Sequence, residues 1–378
     1  MRPSPLFIFA GGGTGGHLTP GLAIFERLRE MEPSSRALFL CSDRPLDAKL
    51  LAKAGVDFEP MPARSPAIRP FPTAPLRFVR GWRTSRRLAT RRLHAAIEGG
   101  APIVVVAMGG FVAAPVAAAG RAAAVPVALV NLDAAPGRAN RWIADRADAV
   151  WSAVATTSGT PFNEVVGMPI RRSALAPAER DACRSRLGLD PDRSTLLITG
   201  ASQGADSLNK FIVEFARERR QALDGWQILH LTGPGRDEAV RCGYAGAGVE
   251  AQIIPFLDEM GLAWGAADLA ISRAGASSVA EAAANAVPTI FAPYPWHKDE
   301  HQRLNAEPLV ETGGAWLVRD AVDEPGNLES IGPLLERLLS DRNEIAQARA
   351  ALERRPPIDG AAGVASRLLR MAGVPGFE

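Results

Sequence analysis

Cysteine is scarce: Cys41, Cys183 and Cys242 are the only three in 378 residues. Their odd number and wide spacing exclude a disulfide framework and a cysteine-based metal site, and fit a reducing cytoplasm. No Gly-Lys-Ser/Thr closes any glycine loop, which excludes a P-loop. Long apolar runs are also lacking. Residues 99–120 carry no charge, but Pro102, Gly109-Gly110 and Pro115 cut them into strand, turn and helix rather than a membrane span. The first apolar run, Leu6–Ala10, is too short for a signal peptide and ends in glycines. Net charge is small, at +2, and alone points to no nucleic-acid partner.

What is present is an ordinary globular composition, 47% hydrophobic and 22% charged, in a chain long enough for two domains. A glycine loop occurs twice. Leu6–Ala10 runs into Gly11-Gly12-Gly13-Thr14-Gly15-Gly16-His17, and Leu196-Leu197-Ile198-Thr199 runs into Gly200-Ala201-Ser202-Gln203-Gly204-Ala205. Each apolar run, glycine loop and following helical pattern has the order in which a parallel αβ unit offers backbone N–H groups to a phosphate. Each half has a second such junction, at Met108-Gly109-Gly110-Phe111 and at Arg273-Ala274-Gly275-Ala276.

Short aliphatic runs alternate with helical patterns along the whole chain. Strands are expected at 6–9, 37–41, 103–107, 127–130 and 149–152, then at 195–199, 227–232, 250–254, 269–272, 288–292 and 315–318. Continuous apolar strands between helices imply parallel sheets covered on both faces. The expected fold class is α/β: two doubly wound, Rossmann-like parallel-sheet domains facing each other across a cleft. The boundary falls near 165–176, dividing the chain into 1–166 and 167–378, with the final helix a candidate to pack back on the first half.

At these residues the chain resembles the MurG family of GT-B glycosyltransferases. The resemblance rests on 10–17 with Pro20-Gly21-Leu22-Ala23, on 108–112, on 200–209, and on 272–281 continuing to His297-Lys298-Asp299 and 301–306. It implies inverting transfer of N-acetylglucosamine from UDP-N-acetylglucosamine, as co-substrate and without a metal, to undecaprenyl-pyrophosphoryl-muramyl-pentapeptide in peptidoglycan synthesis. It also implies a peripheral location at the cytoplasmic face of the inner membrane. Ser202 and Gln203 would meet the donor phosphates, Leu257 backbone the uracil, and Glu281 the ribose. Ala276 backbone, His301, Gln302 and Asn305 would read the sugar, with Arg171 near the nucleotide. Gly12, Gly13, Thr14, Gly15, Gly16, Gly109 and Gly110 would hold the acceptor pyrophosphate. His17 is the candidate general base, and Asp133 would orient and charge it. The chain departs from the family where His-Glu-Gln-Asn is usual, with Val130-Asn131-Leu132-Asp133 instead, and where Gly-Asn-Pro becomes Gly167-Met168-Pro169.

Other readings stand beside these. Gly11-x-Gly13-x-x-Gly16 also fits a dinucleotide fingerprint, with Asp43 on a ribose. His17 could cap a helix or hydrogen-bond a phosphate, and Asp133 could cap the helix containing 138–142. Glu281 could be a solvated helix carboxylate, Asn305 a plain polar helix residue, and Arg171 the partner of a surface carboxylate. A glycosyltransferase acting on another lipid or small acceptor, or a non-catalytic nucleotide-sugar-binding protein, fits the same motifs.

No acidic residue lies between Pro60 and Ile97, whereas nine arginines do, among them Arg77, Arg80 and Arg83. Phe71, Leu76, Phe78 and Trp82 are interleaved with them. That mixture suits an element that dips into an anionic membrane surface. An RNA-binding arm and a solvated helix face are the competing readings, though no RNA-recognition motif accompanies the arginines.

Overall fold

The computed structural model describes residues 3–12, 16–64, 74–201, 204–296 and 300–377. The chain forms two compact units, 1–171 with 358–378, and 172–357. The first contains β1 (Leu6–Ala10), α1 (Leu18–Met31), β2 (Arg36–Ser42), α2 (Pro45–Lys53), β3 (Asp57–Met61), α3 (Ala74–Glu98), β4 (Ile103–Ala107), α4 (Gly110–Ala122), β5 (Val127–Asn131), α5 (Arg138–Ala144) and β6 (Ala149–Ser152). The second contains α6 (Arg180–Arg186), β7 (Ser194–Thr199), α7 (Asp206–Glu218), β8 (Trp226–Leu231), α8 (Asp237–Ala247), β9 (Ala251–Ile254), α9 (Met260–Ala266), β10 (Leu269–Ser272), α10 (Ala276–Ala284), β11 (Thr289–Phe291), α11 (His301–Glu311), β12 (Ala315–Leu317), α12 (Glu324–Ser330), α13 (Gly332–Ser340) and α14 (Arg342–Glu353). The last helix, α15 (Gly360–Met371), belongs to the first unit.

Both sheets are parallel and wound in the same order. The first runs β3-β2-β1-β4-β5-β6 and the second β9-β8-β7-β10-β11-β12. The central strands β1, β4 and β5 are buried along their whole length, which is why they read as unbroken apolar runs. Phe9 and Phe39 stack at 4.8 Å between ring centres on β1 and β2. In each sheet the winding reverses between the first and fourth strands, β1/β4 and β7/β10. Ligands of open α/β sheets bind outside the carboxyl ends of the strands at such a reversal.

Strand β3 was not expected from sequence. Its residues, Asp57-Phe58-Glu59-Pro60-Met61, lie at a sheet edge, where a charged face and a proline are tolerated. The sequence reading divided the chain at 166/167; in the structure 167–171 and 358–378 group with the first unit. The fastening is specific. Buried Arg27 of α1 donates through Nε to Asp359 Oδ2 at 2.8 Å, and Arg367 of α15 donates to Glu164 at 2.9 Å. Gly360 lies so close to the backbone of Gly167 that no side chain fits there.

Candidate active site

In the first unit, the loops that follow β1, β4 and β5 carry the predicted residues. Gly12 takes φ 153°, and a Cβ on it would stand 2.5 Å from Asp47 Oδ2 and 2.7 Å from the Ser42 amide. Gly109 and Gly110 both have positive φ, at 107° and 76°, as the chain turns from β4 into α4. A Cβ on Gly109 would lie 3.2 Å from His17 Nε2 and 2.9 Å from Asn140 Oδ1, so these two polar groups converge on the glycine junction. Neither N-cap residue, His17 of α1 nor Gly109 of α4, makes a side-chain cap bond. The first-turn amides of α4 therefore remain available as donors to an anion.

His17 occupies the N-cap position of α1 but makes no side-chain cap bond. Burial lowers its pKa from the ordinary imidazole value, opposed by the charge of Asp133, the Gly12 carbonyl and the charge of Asp47. The ring is thus held neutral, the form that can accept a proton. Among the described residues no hydrogen bond joins His17 to Asp133, and His17 Nδ1 is buried without a hydrogen-bond partner. The helix-capping reading of Asp133 is not what the structure contains, because Gly137 is the N-cap of α5 and no side chain caps that helix. Instead the Asp133 carbonyl accepts from Asn131 Nδ2 at 2.8 Å, and Asn131 Oδ1 accepts from Asn140 Nδ2 at 2.9 Å. These two buried asparagines fix the loop after β5. Asn140 and Asp47 were not foreseen; neither belongs to a motif, and only the packing reveals them. Gly13, Thr14 and Gly15 lie outside the described residues, and Gly16 is exposed.

In the second unit the loops after β7, β9, β10 and β11 carry the predicted donor residues. Gly200 and Gly204 approach the backbone of Ala205 and Thr232 too closely for a side chain. Ser202 and Gln203, between them, lie outside the described residues, as do His297, Lys298 and Asp299. Gly275 is the N-cap of α10 and no side chain caps that helix, so Ala276 opens it with free donor capacity. Glu281, one turn further on, is half-buried and accepts from Trp264 Nε1 at 3.0 Å. Burial pushes its carboxyl up to about 7, with the indole hydrogen bond acting in the opposite direction. This is not a solvated carboxylate.

Asn305 is buried and donates to the Ala274 carbonyl at 3.4 Å, tying α11 to the turn before α10. Gln302 Oε1 accepts from the Tyr294 amide at 2.9 Å, while His301 and Leu257 are half-buried. Beneath them, Arg273 bridges to Asp320 at 2.6 Å and donates to the Ala292 carbonyl at 2.8 Å. Arg171 belongs to the first unit, where its Nε donates to Glu26 Oε1 at 2.8 Å, the carboxylate-partner alternative of the sequence reading.

Asp43, the ribose carboxylate of the dinucleotide reading, is gripped through both oxygens by Arg64 at 2.6 Å each. The hydrogen bonds from Arg64 hold its pKa below the usual carboxylate value. From Ala74 onward the arginine-rich segment forms α3. Leu76, Val79, Arg77, Arg80 and Arg83 are exposed, whereas Gly81, Ser85, Ala89 and Leu93 are buried along the opposite face. Trp82 is half-buried, edge-on to Trp142 at 5.4 Å and near Phe78 at 6.2 Å; Phe71 lies outside the described residues. No described helix is long and apolar enough to cross a membrane. Among the described residues no group of three or more His, Cys, Asp or Glu is placed to hold a metal ion.

Two Rossmann-order units, each with a helix N-terminus without a side-chain cap at its winding reversal, make the GT-B architecture. The glycosyltransferase family 28 N-terminal domain matches residues 7–152, and the family 28 C-terminal domain matches residues 195–358. The chain belongs to glycosyltransferase family 28, in its MurG branch. It is 39% identical over 365 residues to the UDP-N-acetylglucosamine–N-acetylmuramyl-(pentapeptide) pyrophosphoryl-undecaprenol N-acetylglucosamine transferase of Clavibacter michiganensis subsp. michiganensis, covering 95% of each chain. The enzyme of that name from Mycolicibacterium smegmatis is 36% identical and spans 97% of this chain and 94% of its own. Among solved structures, MurG of Acinetobacter baumannii superposes with a TM-score of 0.71 at 25% identity, covering 97% of this chain and all of that one. CalG4, the calicheamicin glycosyltransferase, shares the fold at 17% identity with a TM-score of 0.64, each chain being covered in full.

Proposed function

We propose that the protein transfers N-acetylglucosamine from UDP-N-acetylglucosamine to undecaprenyl-pyrophosphoryl-muramyl-pentapeptide, with inversion at the anomeric carbon. The observation that carries this reading is the 39% identity, over 95% of both chains, to an enzyme named for that reaction. Incubation with labelled UDP-N-acetylglucosamine and the lipid-linked acceptor tests it through labelled disaccharide-lipid.

The residues divide the chemistry as follows. His17, held neutral by burial, takes the proton of the acceptor hydroxyl as its oxygen attacks the anomeric carbon. Asp133 stabilises the imidazolium that results, through charge rather than a direct hydrogen bond. The uncapped N-terminus of α4, with Gly109 and Gly110, receives the acceptor pyrophosphate, and Gly12 shapes the adjoining loop. The N-terminus of α10, with Ala276, and the loop 200–205 receive the charge that develops on the departing UDP. This charge stabilisation uses backbone donors and calls for no metal ligand set. Glu281 accepts from the ribose hydroxyls, and Leu257 backbone meets the uracil. His301, Gln302 and Asn305 read the sugar. Arg171, bonded to Glu26 through Nε, is the further candidate to lie near the nucleotide.

The exposed Leu76 and Val79 among Arg77, Arg80 and Arg83 on α3 suit a peripheral seat on an anionic membrane surface, where a lipid-linked acceptor resides. A second reading, a different lipid or small acceptor, is favoured by one observation: Asn131 and Leu132 are buried and committed to the fold, so the loop after β5 offers the acceptor Asp133 alone of that triplet.

A further inference from the structure

We propose that Trp264 is a positioning residue that sets the Glu281 carboxylate for the donor's ribose. The proposal rests on the ribose reading of Glu281 given above. Trp264 lies on α9 and Glu281 on α10; the indole Nε1 donates to Oε2 at 3.0 Å. A carboxylate has two oxygens, and an indole is a donor only. Anchoring Oε2 by one neutral N–H turns Oε1 outward and leaves it free to accept from a vicinal diol. A cation at the same place would compete for that oxygen as well.

The anchor itself cannot swing. Trp264 is 1% exposed, packed in the core with Cys183, Leu197 and Ala263. Gly261 of α9 lies against the backbone of Leu175 too closely for any side chain, and a Cβ on Gly265 would stand 2.6 Å from Cys183 Sγ. The far end of α10 is tied to the same segment: Asn285 donates to the Ala174 carbonyl at 2.9 Å and accepts from the Ala176 amide at 2.7 Å. Residues 174–176 therefore hold both helices, and with them the angle between indole and carboxylate. The indole also favours the ionised carboxylate against the effect of burial, and the ionised form is the one a diol donates to.

The test compares the full-length wild type, W264F and E281Q by calorimetric titration with UDP and 2′-deoxy-UDP, alongside kcat and donor KM. For W264F the account expects UDP affinity to fall roughly tenfold, the loss of one hydrogen bond to a charged group, while 2′-deoxy-UDP affinity falls little. Its kcat at saturating donor stays within about twofold, because the uncapped N-terminus of α10 is untouched. E281Q separates the two layers. If E281Q keeps the preference for UDP, the ribose reading of Glu281 fails. If E281Q loses it and folded W264F keeps it, only the positioning role fails. A W264F that weakens both nucleotides equally shows a merely structural tryptophan and overturns the proposal. The wild type gives a readout that needs no variant: the Trp264 indole N–H resonance shifts on adding UDP and less on adding 2′-deoxy-UDP. An indole resonance that responds equally to both, or to neither, overturns the proposal as well.

Discussion

Gly12 rests on Asp47: a Cβ at that position would fall 2.5 Å from Asp47 Oδ2, which itself accepts from Ser42 Oγ at 2.6 Å. The first glycine loop is therefore laid on the end of β2 and the start of α2, and its conformation depends on having no side chain there. Gly12→Ala forces a shift of backbone as well as carboxylate, because the Ser42 amide is equally close. The expected result is a loss of about 1–3 kcal/mol of stability in thermal melts. Acceptor KM rises, while UDP affinity, a property of the second unit, is unchanged.

The His17–Asp133 pair is tested by pH. His17 must be neutral to accept a proton, so kcat/KM falls as pH drops through its pKa, which burial places below the ordinary 6.5. Asp133 raises that pKa, so Asp133→Asn lowers it and moves the acid limb to lower pH. At neutral pH turnover falls by on the order of tenfold, because the imidazolium formed in the transition state loses its counter-charge. His17→Ala costs about 100-fold or more. An acid limb that stays in place in Asp133→Asn contradicts the pairing.

Glu281 gives a second pH dependence, on binding rather than turnover. With its carboxyl at about 7, the free protein carries a mixture of acid and carboxylate at neutral pH. Only the carboxylate accepts from both ribose hydroxyls. Donor KM therefore rises as pH falls below about 7, and the rise disappears in Glu281→Gln, whose KM is high and flat. Donor KM measured from pH 5.5 to 8.5 checks both (a range of about three units around the expected midpoint).

Much of this was legible in the sequence, for identifiable reasons. Central strands such as β1 and β4 are buried on both faces, so their apolar runs are unambiguous, and the glycines that follow them mark tight turns that later prove unable to hold a Cβ. Edge strand β3 was not legible, because half its face meets water and its proline breaks the pattern. Glu281 stands out in the sequence by its spacing after Gly275, whereas Trp264 does not. A buried tryptophan reads as core, and only the structure brings its indole within 3.0 Å of the carboxylate. Arg171 shows the opposite case: its charge was visible, its partner Glu26 was 145 residues away, and the pairing is set by packing.

Helix α3 predicts salt-dependent adhesion. Arg80 and Arg83 are exposed, and each basic residue near an anionic surface contributes roughly 1 kcal/mol. The double substitution Arg80→Ala/Arg83→Ala is expected to weaken vesicle sedimentation by about thirtyfold at low salt. Leu76→Ser, at a side chain 71% exposed, lowers binding to anionic and neutral vesicles alike. Adhesion indifferent to anionic lipid removes the membrane role of α3, and RNA retention by the wild type that is lost with the same arginines supports the nucleic-acid alternative.

The most direct measurement of the central claim is the transfer reaction with both proposed substrates, followed as labelled lipid-linked disaccharide and read for anomeric configuration. The account predicts a β-linked N-acetylglucosaminyl product from undecaprenyl-pyrophosphoryl-muramyl-pentapeptide, abolished in His17→Ala. Hydrolysis of the donor without transfer, or an α-linked product, contradicts it.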